Sequence, residues 1–352
     1  MDQELHRLPI DRRRFIAVSA GGALLAALPL CARAAAKFGD LDYGIASVDP
    51  LYAAAYVTFK NGYFEQEGLD VKYLDTQSGP RTKQLLAARE IFVGTSGVSD
   101  AIALSLAGKQ ATVIYGFDQR VPFANLLIRK DDFDSGRIKT VKDLAGKTIA
   151  VTQPQAATWL MATYIADRFG FVKDVTIRGL GDFTTMLGAL KSKQVDASIA
   201  TISMLDTAKQ QGWGHTLFDV SDSASWTETF GGSLPGVGCY VLADSIGRRG
   251  DAIQAFVKAM RRGQAVLNGS TPDQIIGLIY DGYLGSYDRA ATLRAVSVYK
   301  SGVWSADNLV SPEAFGRLTK IMGGGRMFSD DEMKAVPYGR MVDMSFVTKA
   351  NA

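Results

Sequence analysis

From Leu41 onward the chain alternates short strand-like runs with helical ones, and completes that alternation twice. The first series offers LDYGIA (41–46), LDVKYL (69–74), EIFVG (90–94) and ATVIYG (111–116), with helical patterns near 50–61, 80–89 and 99–107. The second offers KTIAVT (147–152), VTIRGL (175–180), VDASIA (195–200) and TLFDV (216–220), with helical patterns near 156–169, 183–192 and 203–211. A helix between two strands carries the chain back across a sheet, so neighbouring strands run parallel. Two such series define an α/β chain of two doubly wound lobes with mainly parallel sheets.

The stretch NGYFEQEGLDVKYL (61–74) shows the joint between elements. Gly62 suits the left-handed residue that ends a helix, and Gly68 can take positive φ again before the strand alternation of LDVKYL. Asp182 is placed as the N-cap of the helix near 183–192, and Gly170 ends the one before it.

Two apolar runs fit neither series: FANLLIRK (123–130) and GVGCYVLAD (236–244). Each lies where one series meets the next, so they are expected to be the two crossover strands of a hinge. This divides the chain into lobe I (37–124), lobe II (125–237) and a return to lobe I with C-terminal helices (238–352).

Residues 1–36 read as an export signal: Arg12-Arg13-Arg14, an Ala/Gly/Leu segment, then small residues, with cleavage expected near Ala34–Ala36. The run resembles the twin-arginine signal, with Asp11 in place of Ser or Thr and Ala17 in place of Lys; Sec export is the alternative. What remains carries 34 basic against 33 acidic side chains. That balance offers no polybasic face for nucleic acid or a membrane surface. A single cysteine, Cys239, excludes an internal disulfide.

Catalytic patterns fail one by one. GKT (146–148) lacks the first glycine of a phosphate loop, with Val141 in its place. GTSGV (94–98) sets Gly97 directly after Ser96, unlike a nucleophile elbow. Past the signal the one histidine is His215, placed before a strand at the surface or in a turn. Triads and histidine metal sites therefore have nothing to build on. The residues point away from an enzyme, and no cofactor is implied.

GYFEQEGLDV (62–71), DLAGKTIAV (143–151), LGALKSKQVDASIA (187–200) and MVDMSFVTKA (341–350) resemble, in order, the type II periplasmic binding proteins of the nitrate/sulfonate/taurine and thiamine-pyrimidine group. The likeness runs from about Leu41 to Ala350, with Arg89 and Phe92 standing where the family has Gly and Asp. It implies a monomeric periplasmic solute receptor that serves an ABC importer's membrane permease and cytoplasmic ATPase. The expected ligand is a sulfonate, taurine, nitrate or aromatic carboxylate, or alternatively a thiamine-precursor pyrimidine. A pyrimidine synthase shares the fold, but its cysteine-rich motif is missing from this sequence.

In open α/β sheets ligands lie beyond the carboxyl ends of the strands. That rule selects SVDP (47–50), TSGVS (95–99) and FDQR (117–120) in lobe I, and TQPQAAT (152–158), TIS (201–203) and SDSASW (221–226) in lobe II. Ser47, Ser96, Ser99, Thr158 and Thr201 offer hydroxyls, each also suited to capping a helix. Gly97 and Gln153 lie in the same loops. Trp226 is the expected aromatic contact, with Tyr52 and Phe117 equally suited to the core. Arg120 would hold an anion or form a hinge salt bridge to Asp118 or another carboxylate, and Asp49 would accept hydrogen bonds from a pyrimidine-like ligand.

Overall fold

A computed structural model of the protein describes residues 37–324 and 326–351. The export-signal reading lies outside the described residues. Two five-stranded sheets organise the rest. The first contains β1 (Asp40–Ile45), β2 (Asp70–Asp75), β3 (Val93–Gly97), β4 (Ala111–Gly116) and β10 (Val237–Leu242), in the order β2-β1-β3-β10-β4. The second contains β5 (Asn125–Arg129), β6 (Thr148–Val151), β7 (Thr176–Gly179), β8 (Ala197–Ala200) and β9 (Gly214–Phe218), in the order β7-β6-β8-β5-β9.

β1 pairs in parallel with β2 and β3, and β6 with β7 and β8. The added crossover strand of each sheet is antiparallel to both its neighbours, and β4 and β9 pair with it alone among the described strands. FANLLIRK thus supplies β5 of the second sheet, and GVGCYVLAD supplies β10 of the first. The joint at 61–74 forms as its glycines dictate: Gly62 and Gly68 take φ of 65° and 82°, with a four-residue helix, Tyr63–Gln66, in the turn between them. The Asp182 side chain caps helix Phe183–Lys191 by accepting from Thr185 N at 2.8 Å. One strand is displaced from its expected position. β3 starts at Val93 rather than Glu90, because the preceding helix is wound off by Arg89 at φ 63° and by Glu90 N donating to Leu85 O. A Gly/Thr/Ser-rich strand is a poor guess from propensity alone. At Gly94 it fits only because a Cβ there would stand 3.0 Å from Thr82 and 3.2 Å from Tyr240.

The two crossings run side by side. At Gly236 a Cβ would come within 2.7 Å of Val121 Cα, so the return crossing needs glycine to lie against the outgoing one. Asp118, buried on the outgoing crossing, accepts from Gly236 N at 2.6 Å and Val237 N at 2.9 Å. Desolvation holds its carboxyl well above the usual range, while these two N–H groups pull it down. Asp118→Ala would strand two buried donors and should cost about 3 kcal/mol of unfolding free energy. Asp118→Asn, which keeps one acceptor, should cost less. Urea unfolding of the three proteins checks the order.

Candidate functional site

Loops at the carboxyl ends of strands from both sheets enclose one cavity. Ala46, Ser47, Leu51 and Tyr52 follow β1, Gln77–Gly79 follow β2, and Ser96, Gly97 and Asp100 come from β3 and its helix. Phe123 comes from the outgoing crossing. Thr152 and Ala156–Thr158 follow β6, and Phe183 follows β7. The space between these walls is about 30 Å³, room for roughly two water molecules. A ring-sized solute needs several times more, so the walls stand close together in this structure.

Ser47, Tyr52, Ser96, Gly97 and Thr158 are the expected residues that the fold brings together here. Ser47 Oγ is buried without a hydrogen-bond partner, whereas the Thr158 and Ser96 hydroxyls are tightly held. Thr158 Oγ1 accepts from Thr152 N at 3.0 Å and pairs with Thr152 Oγ1 at 2.7 Å. Ser96 Oγ donates to Asp100 Oδ2 at 2.9 Å and lies 2.7 Å from the Tyr240 hydroxyl. Asp100 Oδ2 also accepts from Gly97 N at 3.1 Å. Oδ1 makes no hydrogen bond and faces Lys83 Nζ at 3.6 Å. Burial raises the Asp100 carboxyl above the ordinary carboxylate range, and Lys83, Ser96 and the Gly97 N–H oppose it. Gly79 makes room for it, since a Cβ there would stand 2.2 Å from Oδ2.

Six expected residues lie elsewhere. Trp226 is buried, 4.4 Å from the Phe230 ring, with Nε1 donating to Gly232 O at 2.8 Å. Its indole is core with a satisfied N–H, despite the polar run around it. Arg120 reaches along the crossing to Val220 O at 3.1 Å, Ser221 O at 3.4 Å and Ser223 Oγ at 2.8 Å. It ties the crossing to lobe II, with Asp118 engaged by backbone instead. Thr201 caps Met204 N at 3.3 Å, and Ser99 is buried within its helix. Gln153 is not on the cavity wall. Asp49 is consumed by Leu51 N, Ser203 Oγ and Tyr299 OH. His215 lies within β9, stacked on Phe133 at 3.6 Å, where burial lowers its pKa.

Gln77, Ser78, Gly79, Asp100, Phe123 and Phe183 were not anticipated. For the first three, the rule that selects strand carboxyl ends, applied to β2, points straight at them. Asp100 carries a weaker signal, an acidic residue three places into a helix after glycine.

Two α/β lobes joined by a double crossing and opposed across a cavity at their strand ends define the periplasmic binding protein fold. The chain belongs to the NMT1/THI5-like family, whose model matches residues 49–271. Among solved structures, a protein of Bordetella bronchiseptica RB50 superposes with a TM-score of 0.78 at 21% identity, covering 89% of this chain and 96% of its own. The alkanesulfonate-binding protein SsuA from Xanthomonas axonopodis pv. citri, bound to MOPS, gives 0.66 at 15%, covering 88% and 97%. The fold also serves catalysis, as the desulfurization enzyme DszB shows, with 0.58 at 14% over 89% and 98%.

Two substitutions separate wall from scaffold. Arg120→Ala should lower unfolding free energy by about 1–2 kcal/mol through its lost hydrogen bonds, with solute affinity kept within about twofold. Melting curves beside calorimetric titration read both. Gly97 has an ordinary φ of −54°, yet its Cβ would stand 2.6 Å from Ala157 Cβ across the cleft. Gly97→Ala should therefore leave unfolding nearly unchanged and disfavour this narrow, solute-free form by about 1–3 kcal/mol, raising apparent solute affinity severalfold. Calorimetry reads that gain.

Proposed function

We propose that the chain is the solute-binding component of an ABC importer, acting in the periplasm after export and passing its ligand to a membrane permease driven by a cytoplasmic ATPase. The observation that carries this reading is one cavity walled by the strand ends of both sheets, with two adjacent crossings behind it. Lobe I comprises 37–124 and 238–352, and lobe II comprises 125–237, so the crossings act as a hinge. The chain binds and releases its ligand rather than transforming it: Asp100 is held by Ser96, Gly97 and Lys83, and no histidine stands near it among the described residues.

The wall's chemistry supports a flat ligand with hydrogen-bond donors, such as a pyrimidine-like heteroaromatic. Leu51, Tyr52, Phe123 and Phe183 supply apolar and aromatic surface. Ser, Thr and Gln side chains and the Asp100 carboxylate supply the polar atoms, with no Arg, Lys or His on the wall among the described residues. A sulfonate or similar anion is the second reading, favoured by helices Gly79–Ala87, Val98–Leu106 and Ala157–Arg168. All three begin at residues of the cavity wall, at the positive end of the helix.

A thermal-shift panel of pyrimidines, aromatic carboxylates, sulfonates and nitrate should raise the melting temperature only for heteroaromatics bearing N–H donors, since binding to the folded state stabilises it. Shifts confined to sulfonates or nitrate would favour the anion reading. No shift with any solute at millimolar concentration would argue against a receptor.

A further inference from the structure

We propose that Asp49 is a latch that holds the two lobes closed through bonds made by protein groups alone. Asp49 lies in lobe I between the cavity residues Ser47 and Leu51, and is itself buried. Its Oδ1 accepts from Leu51 N at 2.9 Å and from the Tyr299 hydroxyl at 2.8 Å. Its Oδ2 accepts from Ser203 Oγ at 2.6 Å. Ser203 is the second residue of helix Ile202–Gln210 in lobe II, so a lobe I carboxylate is docked on the positive end of a lobe II helix.

Capping the short turn Pro50–Tyr52 accounts for the Leu51 bond and nothing more. The other two partners, 154 and 250 residues away, serve no local purpose. Tyr299 belongs to helix Arg289–Gly302, which packs both on the Pro50–Tyr52 turn and along helix Ile202–Gln210. Trp304, just beyond that helix, donates Nε1 to Leu51 O at 3.1 Å and fixes the same turn. Hydrogen bonds lose most of their strength beyond about 3.5 Å, so moving Ser203 away by little more than 1 Å breaks this bond between the lobes. Asp49 thereby couples closure to the position of the wall residues Ser47, Leu51 and Tyr52. A solute must wait for this bond to open, and its apparent affinity falls as the closed, solute-free form gains population.

The test reads lobe separation directly and needs no ligand. Spin labels are placed at Arg81→Cys and Thr184→Cys, exposed positions beside the cavity residues Gly79 and Phe183, in a Cys31→Ser background. Cys239 is buried, with its thiol pushed up to about 12, and does not label. Pulsed dipolar spectroscopy of the solute-free protein should show a dominant short distance. Asp49→Ala and Ser203→Ala should each raise the long-distance population at least twofold. Unchanged distributions in both variants, or a parent protein already mostly at long distance, would overturn the latch. Should Asp49→Ala fail to fold, the smaller change Ser203→Ala decides alone. Because no solute is present, a failed latch leaves the binding reading intact, while a failed thermal-shift panel leaves the latch intact.

Discussion

Asp118 holds the molecule's two crossings together, and everything else is arranged around that bond. A carboxylate buried with no cation beside it is costly unless its lone pairs are filled. Gly236 N and Val237 N fill them at the point where the chain comes back from lobe II. The same closeness explains Gly236, since any side chain there would strike Val121. With the crossings fixed side by side, the carboxyl ends of both sheets face each other, and the cavity follows from that.

Much of this arrangement was legible because periodicity survives burial. The β-α alternation, the joint at Gly62 and Gly68, the Asp182 cap and the two intrusive apolar runs all report local physics that the fold keeps. Where tertiary packing overrides local preference, the reading slips. Glu90 was expected in a strand and finishes a helix turn, while Ser96 and Gly97 sit in a strand that only close packing at Gly94 explains.

The candidate site was half legible for a related reason. Sequence position reveals which loops reach the cleft, but not which side chains turn into it. Trp226 sits in a polar run yet turns inward onto Phe230, and Arg120 turns along its crossing toward Val220. Asp49 faces Ser203 and Tyr299, partners too distant along the chain for any local pattern to suggest. Gln77 and Ser78 lie at the carboxyl end of β2, where the strand-end rule puts them.

The place of β10 between β3 and β4 has a consequence for how the chain is made. The second sheet draws all its strands from one stretch ending at Phe218, so it can form as soon as that stretch is available. The first sheet cannot. Until residues 237–242 arrive, β3 and β4 each present an unpaired edge with no neighbour to fill the gap, an arrangement prone to wrong pairing. The first sheet therefore begins first in sequence and is completed last. Its completion waits on a contact spanning more than a hundred residues, the kind that slows folding.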